Sequence, residues 1–119
     1  FGKNNIGYFW VTDEKGRVLM HPIKPEIVNT IPKASKIILN TLGDKDTAFV
    51  IYKWPKPGEN IPKTKISYVA RFKPWHWIVG TGAYVEDIEE EIALMQRNTK
   101  KEIRILICKT IIFTVILFL

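Results

Sequence analysis

The chain has 119 residues, enough for one folded domain, and 46% of them are hydrophobic. Its single cysteine, Cys108, excludes an internal disulfide framework and a cysteine-rich metal site. The formal net charge of +6 permits a nucleic-acid partner, but the cations are scattered over the middle strands and the C-terminal region, so we expect no nucleic-acid binding.

Two short extended segments open the chain. Residues 6–12 are β-branched and aromatic, residues 13–16 supply a turn, and residues 17–21 return to an extended pattern. This order predicts a β-hairpin. With four residues in the loop, one face of the sheet would carry Tyr8, Trp10, Leu19 and His21.

Two short helices are predicted after the hairpin. Pro22 and Pro25 end the extended pattern, and residues 25–29 can form a helical turn with proline at its start. Residues 34–42 carry apolar side chains at helical spacing and are followed by Gly43, which is typical of a helix end.

Three further strands are predicted at residues 47–54, 65–72 and 75–84. A loop rich in proline and glycine separates the first two, and a short turn separates the last two. Links this short force neighbouring strands to run antiparallel. We therefore predict an α+β fold with a five-stranded antiparallel sheet and short helices between strands 2 and 3.

A long helix is predicted after Tyr84. Acidic residues lie at its start, where the helix dipole favours them, and no proline or glycine interrupts residues 85–119. Residues 103–119 are mostly apolar, with Arg104 and Lys109 as their only charges, so we expect a transmembrane helix that starts here and is cut short. The alternative is a buried C-terminal core helix. The predicted division is a folded domain at 1–85, an exit helix at 86–102 and the start of a span at 103–119.

Few residues of the chain suit catalysis. Its two histidines and one cysteine form no metal-binding or nucleophile motif. The acidic residues at 86–91 fit the exposed start of a helix better than a pair of catalytic carboxylates. We expect no enzymatic activity, no metal ion and no cofactor.

The predicted sheet is instead rich in aromatic side chains with a few cationic or hydroxyl groups among them. This composition is typical of a pocket whose apolar walls exclude water and whose few donors hold one anionic group. The candidate ligand-binding residues are Tyr8, Trp10, His21, Tyr52, Trp54, Lys65 and Tyr68. The alternative is that most of these aromatic residues form the core. Lys65 and Tyr68 have opposite parity, so a regular strand cannot point both inward. Tyr68 is the better wall because its face is apolar, while Lys65 could still reach in from the end of the strand.

Five segments, in this order and spacing, resemble the single-Cache family of sensor domains. They are residues 7–13 (GYFWVTD), 18–28 (VLMHP and then PEIV), 49–58 (FVIYKWPKPG), 65–72 (KISYVARF) and 74–87 (PWHWIVGTGAYVED). The resemblance covers residues 7–88. It implies a PAS-like sensor domain of a bacterial chemoreceptor or sensor histidine kinase, preceded by an N-terminal helix that this chain lacks. It also implies a location on the periplasmic or extracellular side of the inner membrane, small organic acids as ligands and a homodimer in the full receptor.

The expected function is therefore that of an extracytoplasmic sensor module in a transmembrane receptor. It would bind a small organic carboxylate and pass the signal through the C-terminal helix, whose apolar end would contact membrane lipid. The alternative is a membrane-anchored protein-interaction module without a small-molecule ligand. In that case the aromatic face is core, and the basic surface docks an acidic partner.

Overall fold

The computed structural model of the chain describes residues 1–118. These residues divide into two units, the first being Phe1–Asp87 and the second beginning at Ile88. The first unit contains all the strands of the described chain, and the second contains the continuation of one long helix.

The first unit is built on a five-stranded antiparallel sheet. Its strands are β1 (Phe9–Asp13), β2 (Val18–Met20), β3 (Thr47–Pro55), β4 (Pro62–Phe72) and β5 (Trp77–Tyr84). They lie side by side in the order β2-β1-β5-β4-β3, and every neighbouring pair is antiparallel. The predicted five-stranded antiparallel sheet and the α+β class are confirmed. Because β1 pairs with β5, residues from the two ends of this unit meet in the middle of the sheet.

A helix covers the inner face of the sheet. Helix α1 (Lys33–Leu42) begins after Pro32 and ends at Gly43, whose φ of 52° is a backbone conformation that glycine adopts without strain. A 3-10 turn at Pro25–Ile27 precedes it, so both short helices predicted between strands 2 and 3 are present. The apolar side of α1 places Ile38 and Leu42 in one core with Trp10, Val50 and Val69, which mark the inner face of the sheet. The sheet is therefore buried on the side that faces α1.

The predicted hairpin is present, but its pairing is shifted. Thr12 pairs with Val18 rather than with Arg17, and the register is irregular at this point. The reason is that Val18 also exchanges hydrogen bonds with the segment after β2, donating to the Thr30 carbonyl and accepting from the Asn29 amide. Leu19 is consequently 36% exposed and does not share the buried face with Tyr8.

The helix that follows the sheet begins without a loop. Helix α2 (Val85–Leu117) starts directly after the last residue of β5. Its first turn is tied to the loop after β3, because Lys56 Nζ lies 2.9 Å from Asp87 Oδ1 and also contacts Glu86. The Tyr84 hydroxyl donates a hydrogen bond of 2.8 Å to the Pro55 carbonyl at the same junction. The end of β5 and the start of α2 are thus both fixed to the β3–β4 connection.

A membrane span was predicted from residue 103 onward. Among residues 1–118, no helix is both long enough and apolar enough to cross a membrane. The predicted span is therefore not supported by the described residues, where Arg104 and Lys109 interrupt the apolar run, and neither is lipid contact through it. Leu119, the last residue of the predicted span, lies outside the described residues. The division into sensor, exit helix and span stays a prediction.

Candidate ligand-binding site

A pocket lies between the inner face of the sheet and the segment that carries α1. Residues in or next to β1, β3 and β4 supply its floor, and residues 18–38 supply its roof. Six of the seven predicted site residues line it together, namely Tyr8, Trp10, His21, Tyr52, Trp54 and Lys65. The other lining residues are Thr12, Val18, Ile27, Pro32, Ala34, Ser35 and Ile38.

The pocket is small. Its cavity volume is about 30 Å³. A single water requires about 10–15 Å³ by this measure, so the space accepts only a few non-hydrogen atoms. Pockets for drug-sized ligands are far larger. An occupant of this cavity must therefore be a very small molecule.

Lys65 is the charged group of the pocket. Its side chain is 1% exposed, and its ammonium donates a hydrogen bond of 3.1 Å to the Tyr8 hydroxyl. The ammonium also lies 4.4 Å from the centre of the Tyr8 ring and 5.6 Å from that of Tyr84, distances at which aromatic faces attract cations. In the described chain it pairs with no carboxylate. Burial lowers the pKa of Lys65 to about 8.

Tyr8 stands next to this ammonium and stays neutral. Burial, together with the neighbouring phenols of Tyr84 and Tyr52, raises the pKa of Tyr8 above its usual value. Its oxygen accepts the hydrogen bond from Lys65, and its one proton can be donated either to the neighbouring Tyr84 phenol or to a bound acceptor. Tyr8 can therefore act as a hydrogen-bond donor beside the one positive charge of the pocket.

His21 supplies a second neutral donor. The ring is 6% exposed, and its Nδ1 accepts a hydrogen bond of 3.0 Å from the Lys24 amide. Burial first, and then the charges of Lys65 and Lys24, lower the pKa of His21 to about 4. At neutral pH the imidazole is uncharged, and because Nδ1 is an acceptor, the proton is carried by Nε2. The ring centre lies 5.0 Å from that of Tyr8, so these two donors are neighbours.

The remaining aromatic residues form the apolar walls. Tyr52 is held by a hydrogen bond of 2.8 Å between its hydroxyl and that of Ser67, and burial raises its pKa to about 12, with Ser67 and Trp10 offsetting part of the rise. Trp54 packs near His21, with 5.7 Å between the ring centres. The Trp10 indole nitrogen is buried and has no partner within hydrogen-bonding geometry in the described residues. The walls therefore leave one donor unsatisfied.

Tyr68 lies outside the pocket. It is 44% exposed on the opposite face of β4 and packs against Phe49, with 5.0 Å between the ring centres. The preference for Tyr68 over Lys65 was therefore wrong, and the physical reason is that α1 packs on the side of the sheet to which Lys65 points. The apolar residues beside Tyr68 lie on the outer face of the sheet. The covered face of this strand carries Lys65 and Ser67 beside Val69 and is the more polar of the two, so local composition pointed to the wrong face.

Two contributions to the site are not among the predicted site residues. The first is the roof, where Ala34 and Ile38 of α1 close the pocket, and the helical spacing of this segment was the signal that could have suggested it. The second is Ser67, which holds Tyr52 and shares its strand face with Lys65. The described residues contain no group of three potential metal ligands, so what the pocket offers is a set of hydrogen-bond donors.

The chain is similar to curated signalling proteins. A family model described as single Cache domain 2 matches residues 1–98. The methyl-accepting chemotaxis protein McpP of Pseudomonas putida is 36% identical over 100 residues, a match that covers 76% of this chain and 18% of that protein. The sensor histidine kinase MctS of Rhizobium johnstonii is 30% identical over 112 residues, covering 87% of this chain and 24% of the kinase. The chain thus spans less than a quarter of the length of each relative.

Solved structures show the same fold. A periplasmic sensor domain of a chemotaxis protein superimposes with a TM-score of 0.62 at 35% identity, covering 71% of this chain and 65% of that one. A Cache chemosensory domain described for carboxylic acid recognition gives 0.62 at 31% identity, covering 71% and 64%. Since the family model matches most of the residues and the sheet agrees with solved Cache sensor domains, the chain belongs to the single Cache domain 2 family.

Proposed function

We propose that the chain is the extracytoplasmic sensor module of a chemoreceptor or sensor histidine kinase and that its pocket binds a small organic carboxylate. The observation that carries this proposal is Lys65, a lysine that is 1% exposed and lines the pocket without a carboxylate partner in the described residues. An unpaired buried charge destabilises a protein unless an anion and further hydrogen bonds compensate for it. A bound carboxylate would provide that anion.

The donors around Lys65 match one carboxylate group. The ammonium would provide the charge, and the Tyr8 hydroxyl and His21 Nε2 would each donate a hydrogen bond. Charge-assisted hydrogen bonds of this kind are about twice as strong as neutral ones. Because Lys65 is the only charged residue among the pocket-lining residues, a second carboxylate would lack a counter-charge. This favours a monocarboxylate over a dicarboxylate.

The size of the pocket narrows the ligand further. A cavity of about 30 Å³ suits an acid of two or three carbons. Apolar surfaces of Trp10, Tyr52 and Ile38 would contact the hydrocarbon part. Carboxylic acid recognition by a similar Cache chemosensory domain supports the same ligand class for this chain.

A connection from the pocket to α2 is available through Tyr84. Lys65 is the cross-strand partner of Tyr84, the last residue before α2, and its ammonium lies 5.6 Å from the centre of the Tyr84 ring. A carboxylate that draws the ammonium toward itself would weaken this contact. The ligand can shift the helix only if its affinity differs between two arrangements of this junction. In this proposal the signal leaves the domain along α2.

We propose that the sensor has no catalytic role and acts outside the cytoplasm. We assign it no catalytic role, since the buried polar groups of the pocket are donors for a bound anion rather than an acid and base acting on a substrate. Its relatives are a chemotaxis protein and a sensor kinase, which supports a location outside the cytoplasm in an inner-membrane receptor. The same kinship supports a homodimer in the full receptor.

The test is titration calorimetry of the purified protein with acetate, propionate, pyruvate and lactate. We expect at least one of these acids to bind, and Lys65→Met to lower its affinity at least about 30-fold, because a hydrogen-bonded charge pair is worth about 2–5 kcal/mol. Lys53→Met is the matched control. It makes the same chemical change on the neighbouring strand, but its side chain is exposed and bonds Thr64.

Two results would count against the proposal. Absence of binding by all four acids at millimolar concentration would favour the alternative of an interaction module without a ligand. Equal affinity in the Lys65→Met and Lys53→Met variants would show that the buried ammonium does not hold the anion. Circular dichroism of each variant verifies that the fold is retained.

A further inference from the structure

Gly80 lies directly beneath the ring of Trp10. The two residues are paired across β1 and β5, and Val69 of β4 flanks Gly80 on its other side. A β-carbon at position 80 would lie 2.1 Å from Cζ2, 2.4 Å from Cε2 and 2.5 Å from Cη2 of Trp10. The indole therefore occupies the space that any other residue at this position would fill.

The ring cannot yield to a β-carbon without moving into the pocket. Carbon atoms in contact are about 3.5–4.0 Å apart, so the indole would have to shift by more than about 1 Å. Trp10 is 5% exposed, and Val69 and Ile78 in the same core are fully buried, so packed side chains adjoin it. The free space beside it is the pocket that it lines.

Packing, rather than a hydrogen bond, holds the indole in place. Its Nε1 has no partner in the part of the chain that the structure describes, and burial of such a donor carries a cost. No well-formed hydrogen bond fixes the ring, although the indole lies close enough to Tyr52 to lower the pKa of that phenol, so contact with the glycine determines how far the ring projects into the pocket. A change at position 80 should act on the pocket through Trp10.

We infer that Gly80 is a specificity-determining position, which seats Trp10 against β5 and thereby sets the longest carbon chain that the pocket accepts. This inference rests on the proposed carboxylate binding and deepens it. Gly80 itself is a positioning residue, while Trp10 is the wall that would touch the ligand. The neighbouring Gly82 has a different role, because a β-carbon there would meet the Ile66 carbonyl and Ser67 Oγ, each at 2.4 Å, rather than Trp10.

The experiment measures the dissociation constants of acetate, propionate and butyrate for four proteins: wild type, Gly80→Ala, Trp10→Phe and the double variant. The readout is the ratio between the constants for two acids within one protein, which cancels any uniform loss of affinity. In Gly80→Ala we expect propionate to weaken about tenfold relative to acetate, the effect of about one methylene in a tight apolar pocket. In Trp10→Phe, butyrate should gain about tenfold relative to acetate for the same reason.

The double variant tests whether the two positions act through one contact. The smaller phenyl ring leaves room for the alanine β-carbon, so the double variant should return toward the wild-type ratios rather than show the sum of the two single effects. Val79→Ala is the control. It removes atoms from the adjacent residue on the outer face of β5 and should leave the ratios unchanged.

The outcomes separate this inference from the proposed function. If the wild-type protein binds none of the acids, the proposed function fails and the inference fails with it. If the wild type binds but all variants show the same ratios, the inference alone is overturned. If Gly80→Ala does not fold, as judged by circular dichroism, an unchanged butyrate-to-acetate ratio in Trp10→Phe still overturns it.

Discussion

Replacing Lys65 by methionine should make the ligand-free protein more stable at pH 7. Burial lowers the pKa of Lys65 from 10.5 to about 8. Between these two values the unfolded chain holds a proton that the folded protein has released, so the stability of the wild-type fold rises as the pH increases from about 8 to about 10.5. At pH 7 both states are protonated, and the folded protein bears the full cost of the buried charge.

The size of the effect follows from the pKa difference. At about 1.4 kcal/mol per pKa unit, the buried charge destabilises the fold at pH 7 by about 3 kcal/mol. Methionine also removes the hydrogen bond of 3.1 Å from Lys65 to Tyr8, which is worth about 1 kcal/mol. The net gain of about 2 kcal/mol should raise the melting temperature by roughly 10 °C for a domain of this size. Near pH 10 the lysine of the folded wild type is neutral, so the difference in stability between Lys65→Met and the wild type should largely disappear.

Thermal unfolding followed by circular dichroism at pH 7 and pH 10 would measure the stability of Lys65→Met relative to the wild type. The Lys53→Met control should remain within about 0.5 kcal/mol of the wild type at both pH values, because its side chain is on the surface. A Lys65→Met protein that is less stable than the wild type at pH 7 would refute the reasoning. Lys65 would then support the fold, and its burial would no longer point to a missing anion.

Three further predictions concern the stability of the fold. Burial lowers the pKa of His21 to about 4. As the pH falls below about 6.5 the unfolded chain binds a proton before the folded protein does, so the fold should lose up to about 3 kcal/mol of stability by pH 4. Urea unfolding of His21→Asn should show a flatter dependence of stability on pH, and an unchanged dependence would contradict this. Leu42→Ala should lower the free energy of unfolding by about 3 kcal/mol, because Leu42 is fully buried on the side of α1 that packs into the core. Ile37→Ala, on the exposed side of the same helix, should cost much less. Equal losses would argue against the observed helix face. Lys56→Met should accelerate hydrogen exchange at the amides of residues 85–88, because Lys56 contacts both Glu86 and Asp87. Lys63 contacts Glu86 alone, so Lys63→Met should have the smaller effect on the exchange rates.

Much of the fold could be predicted because it depends on local signals. Proline and glycine mark the ends of the strands, and the short links between β3, β4 and β5 leave no choice but antiparallel pairing. The hairpin register was harder to predict. Val18 pairs with Asn29 and Thr30 as well as with β1, and a contact between distant segments of this kind has no local signature.

The candidate site was predictable in its composition and not in its interior geometry. Tyr52 and Trp54 have the parity of Val50, so alternation alone places these three residues on one face of β3, and the structure shows that this face lines the pocket. The roles of Trp10 and Gly80 could not be found in this way. Their contact joins residues 70 positions apart in the chain, and it exists only because β1 and β5 pair in the middle of the sheet.

The sequence by itself determined which residues share a face of each strand, because the side-chain period of two is a property of the extended backbone. It did not determine which face of β4 is covered. Lys65, Ser67 and Val69 alternate with Ile66 and Tyr68, and both sets contain apolar residues. The decision was made by α1, which places Ile38 and Leu42 on the Lys65 side and so gives the chain a buried, unpaired ammonium in a small pocket.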